Sequence, residues 1–129
     1  IMLDDEFNLK IADFGFSSKA ASNQSFKGTR SYMAPEILIG AKYHGQMVDI
    51  FAMGIILFIM VTQIPPFQMA HPKDGWYKFV CSNRMDKFWK YHGQNQPGGI
   101  DFFSKSFIDL INWIFNFDHT TRPSLSEIK

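Results

Sequence analysis

The sequence has 129 residues, of which 46% are hydrophobic and 19% charged, with a formal net charge of +1. A chain of this length can bury one hydrophobic core, so we expect one globular unit rather than two. The near-neutral charge, without a block of Lys or Arg, argues against binding held mainly by nucleic-acid phosphates or anionic lipid. The single cysteine, Cys81, excludes an internal disulfide framework and a Cys-rich zinc site.

The first third of the chain is predicted to be strand and loop. Ile1-Met2-Leu3 and Leu9-Lys10-Ile11 flank a polar turn, a pattern that favours a β-hairpin. The first ten residues lack the basic and then apolar pattern of a secretory signal peptide. Residues 16–27 contain four serines and no branched aliphatic residue, so we expect an exposed, mobile loop there.

The longest apolar run is Ile50–Val61, twelve residues that directly follow Asp49. A membrane-spanning helix needs about 20 residues, whereas runs of about 10–14 are more often buried core helices. Pro65 and Pro66 follow shortly afterwards and cannot continue a helix. We therefore predict a core helix here rather than a membrane span.

Three further helices are predicted in the second half of the chain. Trp76, Phe79 and Val80 have the i, i+3, i+4 spacing of a helix over residues 76–81. The same periodicity predicts a helix over residues 102–117, with these apolar positions: Phe103, Phe107, Leu110, Ile111 and Ile114. Ser124, followed three residues later by Glu127, is typical of a helix start with a capping box. The predicted fold is therefore mainly α-helical with one small N-terminal hairpin.

The remaining aromatic and polar residues are predicted to be structural. We place Trp113 in the core and expect Trp76 and Trp89 to be partly buried, with Cys81 buried or half-buried. The four histidines lack the spacing of a zinc-binding helix. A small basic cluster beside Trp89 is interrupted by an acidic residue, so we interpret it as a solvated helix face rather than a base-stacking surface.

The motif Asp13-Phe14-Gly15 directly follows the second predicted strand. A carboxylate at a strand end can hold a metal ion, and glycine lets the backbone turn sharply. Taken alone, the tripeptide is better explained as a simple turn. Its context is more specific, because after eighteen intervening residues comes Ala34-Pro35-Glu36, preceded by Gly28-Thr29-Arg30-Ser31-Tyr32-Met33.

In this order the motifs resemble the eukaryotic protein kinase family, in which D-F-G and A-P-E bracket the activation segment. The form G-T-x-x-Y-x-A-P-E is similar to that of Ser/Thr kinases. Three later segments resemble family motifs in the same order: Val48–Gly54 at the start of the central helix, Pro65-Pro66-Phe67 at the turn after it, and Asp118–Pro123, with His119 in place of the first proline of D-P-x-x-R-P. The phrase I-x-D-F-G-F-S is most similar to the calcium/calmodulin-dependent branch.

The resemblance implies a protein kinase-like fold, C-terminal lobe only. Residues 1–129 would be a partial kinase domain, with residues 13–36 as its activation segment. The chain begins with Ile1 rather than Met and stops in a helical-looking stretch at Lys129, so we expect a piece of a larger protein. An intracellular, cytoplasmic location is also expected.

The resemblance further implies a nucleotide and substrate site. Asp13 would bind the Mg²⁺ that bridges the phosphates of ATP, and Phe14 would pack beneath it, with Gly15 allowing the turn. Met2 would lie under the adenine ring as an apolar floor. Thr29 would lie in the substrate-docking loop, with its hydroxyl near the catalytic base.

Three charged residues would support that site. Glu36 and Arg122 would form a buried ion pair that ties the activation segment to the last helices. Asp49 would accept backbone N–H bonds from the catalytic loop. Without the resemblance, Glu36 and Arg122 would be solvated surface charges, and Asp49 a simple helix N-cap.

Regulation and partners follow from the same resemblance. Ser25 lies eleven residues before Glu36, where the family's activating phosphorylation usually falls, and Ser22 is the next candidate. The alternative, that both are ordinary solvated serines, stays open. The expected partners are a protein substrate with a Ser or Thr hydroxyl and an upstream activating kinase, without nucleic acid or membrane.

Several parts of the family's catalytic machinery are missing from these residues. The sequence contains no H-R-D-x-x-x-x-N loop, no G-x-G-x-x-G and no matching site for the nucleotide-binding lysine and its glutamate partner. We therefore expect an ATP-dependent Ser/Thr kinase as the parent protein and no phosphotransfer from this chain alone. The alternative is a non-catalytic interaction module, either a pseudokinase or an isolated C-lobe. The presence of Asp13 argues against a pseudokinase.

Overall fold

The computed structural model describes residues 1–19 and 23–129. A short hairpin precedes a helical body, and its elements are β1 (Met2–Leu3), β2 (Leu9–Lys10), α1 (Pro35–Leu38), α2 (Gly45–Thr62), α3 (Tyr77–Cys81), α4 (Met85–Gly93), α5 (Lys105–Ile114) and α6 (Leu125–Ile128). Within the described ranges, short 3-10 helices lie at Arg30–Tyr32, Gly99–Phe102 and His119–Thr121. The predicted fold class, mainly α with a small N-terminal hairpin, is confirmed.

The hairpin is held together locally and is exposed. Strands β1 and β2 pair antiparallel, with Leu3 opposite Leu9. The Asp4 carboxylate forms the turn by accepting the backbone N–H groups of Glu6 at 3.0 Å and Asn8 at 2.8 Å. These bonds, chiefly the one from Asn8, stabilise the charged form and lower the pKa of Asp4.

Helix α2 lies at the centre of the core. It begins at Gly45, five residues before the apolar run, so Asp49 lies in the second turn rather than at an N-cap. Its buried face contributes Ile50, Phe51, Gly54, Ile55, Phe58 and Thr62. The helix ends where Gln63 adopts a left-handed conformation (φ 62°) and its N–H donates to the carbonyl of Ile59 at 2.8 Å.

By length and composition alone, α2 could also cross a membrane. It has 18 residues and a mean hydropathy of 1.9, with 33% of these residues buried. The core helices of soluble proteins can have the same length and composition, so these two properties are weak evidence for a membrane span. The buried face of α2 packs in one cluster with side chains of α4 and α5, as predicted for a core helix.

The core is built mainly from aromatic side chains around a close contact between α2 and α5. The residues Phe51, Phe58, Phe67, Tyr77, Phe88 and Phe115 are each no more than 2% exposed. A Cβ at Gly54 would collide with Ile114 Cγ2 and would lie 3.2 Å from Phe115 Cε1. Glycine is therefore required at this position for the two helices to approach.

Helix α5 is shorter than the predicted span of residues 102–117. Its N-cap is Ser104, whose hydroxyl accepts the N–H of Phe107 at 3.2 Å, and residues 99–102 form a 3-10 helix instead. After Phe115 the chain turns away, because the carbonyl of Asn116 accepts a hydrogen bond from the Arg122 guanidinium. Hydrophobic periodicity alone could not reveal either polar contact.

Three burial predictions, those for Trp113, Cys81 and Trp89, are wrong. Trp113 is 40% exposed rather than in the core, and its indole N–H donates to the carbonyl of Thr121 at 2.7 Å. Trp113 follows the buried Ile111 by two residues. Two residues correspond to a rotation of about 200° around the helix, so Trp113 lies on the face opposite Ile111. Cys81 is exposed at the end of α3, although nearby protein atoms still raise the pKa of its thiol. Trp89 is only 3% exposed, more deeply buried than predicted.

Candidate functional site

Asp13 lies just after the hairpin with an exposed side chain. Its backbone is left-handed (φ 64°), a conformation uncommon for residues other than glycine but better tolerated by Asp. Oδ1 accepts the N–H of Gly15 at 3.2 Å. Among the described residues nothing donates to Oδ2, so this oxygen is accessible to a cation.

The single carboxylate of Asp13 can supply part of the ligand set of Mg²⁺. This ion is commonly held in nucleotide enzymes by one or two carboxylates together with waters and substrate phosphates. Across residues 1–19 and 23–129, no group of three or more His, Cys, Asp or Glu side chains converges on a possible metal position. The described residues therefore fit an ion that takes a single protein ligand, Asp13, from this chain.

Three other residues assigned to the nucleotide and substrate site lie in exposed positions. Met2 is 61% exposed and Phe14 is 66% exposed, so the described residues do not form the packing that the resemblance implies for either. Thr29 is exposed, and its carbonyl accepts the N–H of Tyr32 at 3.0 Å. In the described part of the chain, no hydrogen bond or ion pair joins Asp13, Met2 and Thr29.

The segment before A-P-E is attached to the body through Tyr43. Asn23 and Tyr43 exchange two backbone hydrogen bonds of 2.9 Å. The Tyr43 hydroxyl donates to the carbonyl of Ser25 at 2.9 Å and lies 3.5 Å from the Ser25 hydroxyl. Ser25 is exposed and accessible to a modifying enzyme, whereas Ser22 lies outside the described residues. Sequence reasoning missed Tyr43, because no recognised motif includes it.

Glu36 and Arg122 form a buried, bidentate ion pair. Arg122 Nη1 donates to Glu36 Oε1 at 2.7 Å, and Nη2 donates to Oε2 at 2.8 Å. The Glu36 side chain is 4% exposed and the Arg122 side chain 0%. The planar guanidinium matches the carboxylate in two parallel bonds, which is the strong form of this interaction. The ion pair implied by the resemblance is therefore present.

The rest of the Arg122 guanidinium is also satisfied. Nε donates to the carbonyl of Asn116 at 2.9 Å, and Nη1 lies within 3.3 Å of the carbonyl of Met47 in α2. Its Cζ lies 4.8 Å from the ring centroid of Phe51. Arg122 thus joins α1, α2 and the turn after α5, and this joint holds the A-P-E end of the predicted activation segment against the core.

Asp49 is placed differently from the ion pair. Its side chain is exposed in the second turn of α2, and no described residue donates a hydrogen bond to it. Partial shielding from water by nearby protein atoms raises the pKa of its carboxyl. Its role in holding a catalytic loop stays a prediction.

Two buried polar residues were missed at the sequence level. The Asp74 carboxylate organises the loop between α2 and α3, accepting backbone N–H groups at 2.9–3.2 Å from Gln68, Met69, Trp76 and Tyr77. The neighbouring Gly75 is a turn signal, but nothing in the sequence indicates four bonds to one carboxylate. His92 is 1% exposed, and its Nε2 lies 3.0 Å from the carbonyl of Pro66.

The family profile for the protein kinase domain matches residues 1–129. The chain is 37% identical over 123 residues to the cAMP-dependent protein kinase catalytic subunit PRKX of Mus musculus, covering 95% of this chain and 31% of that protein. It is 34% identical over 132 residues to a probable cell cycle serine/threonine-protein kinase, the CDC5 homolog of Encephalitozoon cuniculi, covering 99% and 26%.

A third relative is the probable serine/threonine-protein kinase MARK-B of Dictyostelium discoideum, which is 34% identical over 132 residues, covering all of this chain and 17% of that protein. The chain belongs to the protein kinase family, and its curated relatives are Ser/Thr protein kinases. It spans 17–31% of the length of these three relatives. Similarity to the calcium/calmodulin-dependent branch stays a prediction.

Proposed function

We propose that this chain is part of a Ser/Thr protein kinase that transfers the γ-phosphoryl group of ATP to a hydroxyl of a protein substrate. The observation that carries the proposal is the arrangement of the predicted activation segment. It begins with Asp13, which has one carboxylate oxygen open to a cation. It ends at Glu36, which is fixed to the core by a buried bidentate ion pair.

The residues of this chain would contribute binding and positioning. Asp13 would hold Mg²⁺ through its open oxygen, and Thr29 would lie beside the substrate hydroxyl. Bound Mg²⁺ offsets the negative charge that develops on the transferred phosphoryl group. Glu36 and Arg122 would keep the docking loop in register with the helical body, so that Thr29 is presented from a rigid support.

The proposal extends to regulation, partners and location. Phosphorylation of the exposed Ser25 by an upstream kinase would add about −1.5 to −2 charges beside the Tyr43 hydroxyl. The kinase would act in the cytoplasm. These 129 residues alone would be inactive, because they contain no H-R-D-x-x-x-x-N loop to supply the catalytic base.

The test is phosphotransfer by an N-terminally extended protein that supplies this loop. Asp13→Asn is the informative variant, because Asn removes the charge and still tolerates a left-handed backbone. We expect a loss of at least about 100-fold in kcat, from lost stabilisation of transition-state charge. Asp5→Asn is the matched control, as an exposed carboxylate removed in the hairpin turn, and should change kcat little.

Two outcomes would contradict the proposal. Full activity in Asp13→Asn would remove the metal-ligand role. An extended protein that folds and carries the loop but transfers no phosphate to any Ser or Thr substrate would favour the non-catalytic interaction module instead.

A further inference from the structure

Three partly exposed aromatic side chains lie close together at the N-cap of α3, within α3 and in α4. Trp76 stacks on Tyr91, with ring centroids 3.3 Å apart and an angle of 18° between the ring planes. The centroid of Phe79 lies 6.3 Å from that of Trp76. We call Trp76, Phe79 and Tyr91 the aromatic ridge.

Four exposed lysines surround the aromatic ridge. Lys78 Nζ lies 5.2 Å, and Lys87 Nζ 5.9 Å, from the ring centroid of Phe79. Lys73 and Trp76 both line an open cavity of about 390 Å³. Lys90 follows Lys87 by three residues in α4 and therefore lies on a neighbouring part of the helix surface.

The two acidic residues of this region only partly offset the four lysines, because of the two only Asp86 attracts one of them, Lys87. Asp74 is buried and its carboxylate is occupied by four backbone N–H groups. Asp86 accepts two hydrogen bonds from Arg84, at 3.0 and 3.1 Å. None of the ion pairs within the described residues includes any of the four lysines. The lysines around the aromatic ridge therefore form a positively charged surface, in a chain whose formal net charge is only +1.

We propose that the aromatic ridge and its four lysines bind an acidic segment of a partner protein. Asp or Glu carboxylates of the segment would pair with the lysine amines, and an apolar side chain between them would pack on the exposed ring surfaces. Charge complementarity of this kind selects partners and speeds their encounter. Exposed aromatic side chains provide large contact areas with little loss of conformational entropy.

Single-stranded nucleic acid is a poorer match for the same lysines. Binding along a single strand needs several open aromatic faces in a row, and stacking covers one face each of the Trp76 and Tyr91 rings. The patch is also too small to follow a long phosphate backbone. The proposal does not depend on phosphotransfer, and its test does not measure activity.

The test is fluorescence anisotropy of labelled twelve-residue peptides with the 129-residue chain. One peptide alternates Glu with Leu, and its control has every Glu replaced by Gln. We expect binding of the Glu peptide only, weakening steeply from 50 mM to 500 mM salt because screening shortens the range of the lysine charges. Equal binding of both peptides, or no binding of either, would overturn the proposal.

Charge-reversal variants locate the binding surface. Lys78→Glu/Lys87→Glu should weaken binding of the Glu peptide by at least about tenfold. The control Lys42→Glu/Lys105→Glu makes the same change in net charge at two exposed lysines elsewhere and should change the affinity less than about threefold. Equal losses in both variants would assign binding to net charge, and tighter binding of a twelve-nucleotide single strand than of the Glu peptide would assign the surface to nucleic acid. Circular dichroism checks that both variants remain folded.

Discussion

Residues 1–19 and the helical body around α2 differ in what holds their side chains in place. In the N-terminal region every side chain is exposed except that of Asp4, which is half-buried. The polar contacts of this region join residues that are close in the sequence, such as Asp4 with Asn8 and Asp13 with Gly15. In the body, Glu36 is bonded to Arg122 across 86 positions of the chain, and both side chains are buried beside the aromatic core.

This difference separates two kinds of functional residue. Those to which the kinase resemblance assigns direct chemistry, Asp13 and Met2 among them, lie in the least packed part of the structure. Two of those assigned a positioning role, Glu36 and Arg122, lie in the most packed part, whereas the third, Asp49, is exposed. Regions with few buried contacts open at low free-energy cost, whereas packed cores open only with global unfolding. Substitutions in the two regions should therefore have very different effects on stability.

The largest effect is expected from breaking the buried ion pair. Arg122→Met leaves the Glu36 carboxylate buried without a partner, which should lower the free energy of unfolding by about 3–5 kcal/mol. Urea unfolding followed by circular dichroism measures this loss. Arg84→Met is the matched control, because it removes an exposed ion pair with Asp86 and should give no measurable loss. Similar losses of unfolding free energy in both variants would show that the buried ion pair contributes no more to stability than the exposed one.

A smaller effect is expected from acidification, through His92. Burial lowers the pKa of this imidazole to about 4, so the folded chain keeps it neutral. The unfolded chain has an ordinary histidine pKa of about 6.5 and binds the proton first. Stability should therefore fall as the pH drops from about 6.5 to 4, by about 3 kcal/mol in total.

The measurement is the free energy of unfolding as a function of pH, for the wild type and for His92→Gln. Gln keeps a donor for the Pro66 carbonyl and cannot titrate, so the fall between pH 6.5 and 4 should be smaller by the His92 contribution. In the wild type, Nδ1 is buried without a hydrogen-bond partner among the described residues. Identical pH dependence in the two proteins would show that His92 is not desolvated.

The smallest effect on stability is expected at Asp13. Its side chain is exposed, and Asn tolerates the left-handed backbone, so Asp13→Asn should change the free energy of unfolding by less than about 0.5 kcal/mol. The same urea experiment measures it. A loss above about 1 kcal/mol would mean that the D-F-G turn is coupled to the body, and the contrast between the two regions would be wrong.

The sequence predicted the elements best where one physical signal dominated. The apolar run before Pro65-Pro66 predicted α2, and the Ser124–Glu127 capping box is present, with the Ser124 N–H donating to Glu127 at 2.8 Å. The true start of α2 at Gly45 was missed, because its first turn is not apolar. Trp113 was placed in the core from its residue type, although the periodicity of α5 puts it on the outer face.

The site was less predictable from physical chemistry alone. Glu36 and Arg122 are far apart in the sequence, and only the resemblance to a known family paired them. Asp74 and His92 were missed because each is defined by backbone groups of a loop that lies elsewhere in the chain. Hydrophobic patterns describe which face of an element is buried, but they carry no information on which carbonyl or N–H a buried polar side chain will meet.

The 86-residue separation between Glu36 and Arg122 also has a consequence for when the A-P-E segment can be anchored during synthesis. Closing a loop of this length costs conformational entropy. Arg122 is also synthesised long after Glu36. The A-P-E segment therefore acquires its ionic anchor only after the residues between Glu36 and Arg122 have been synthesised.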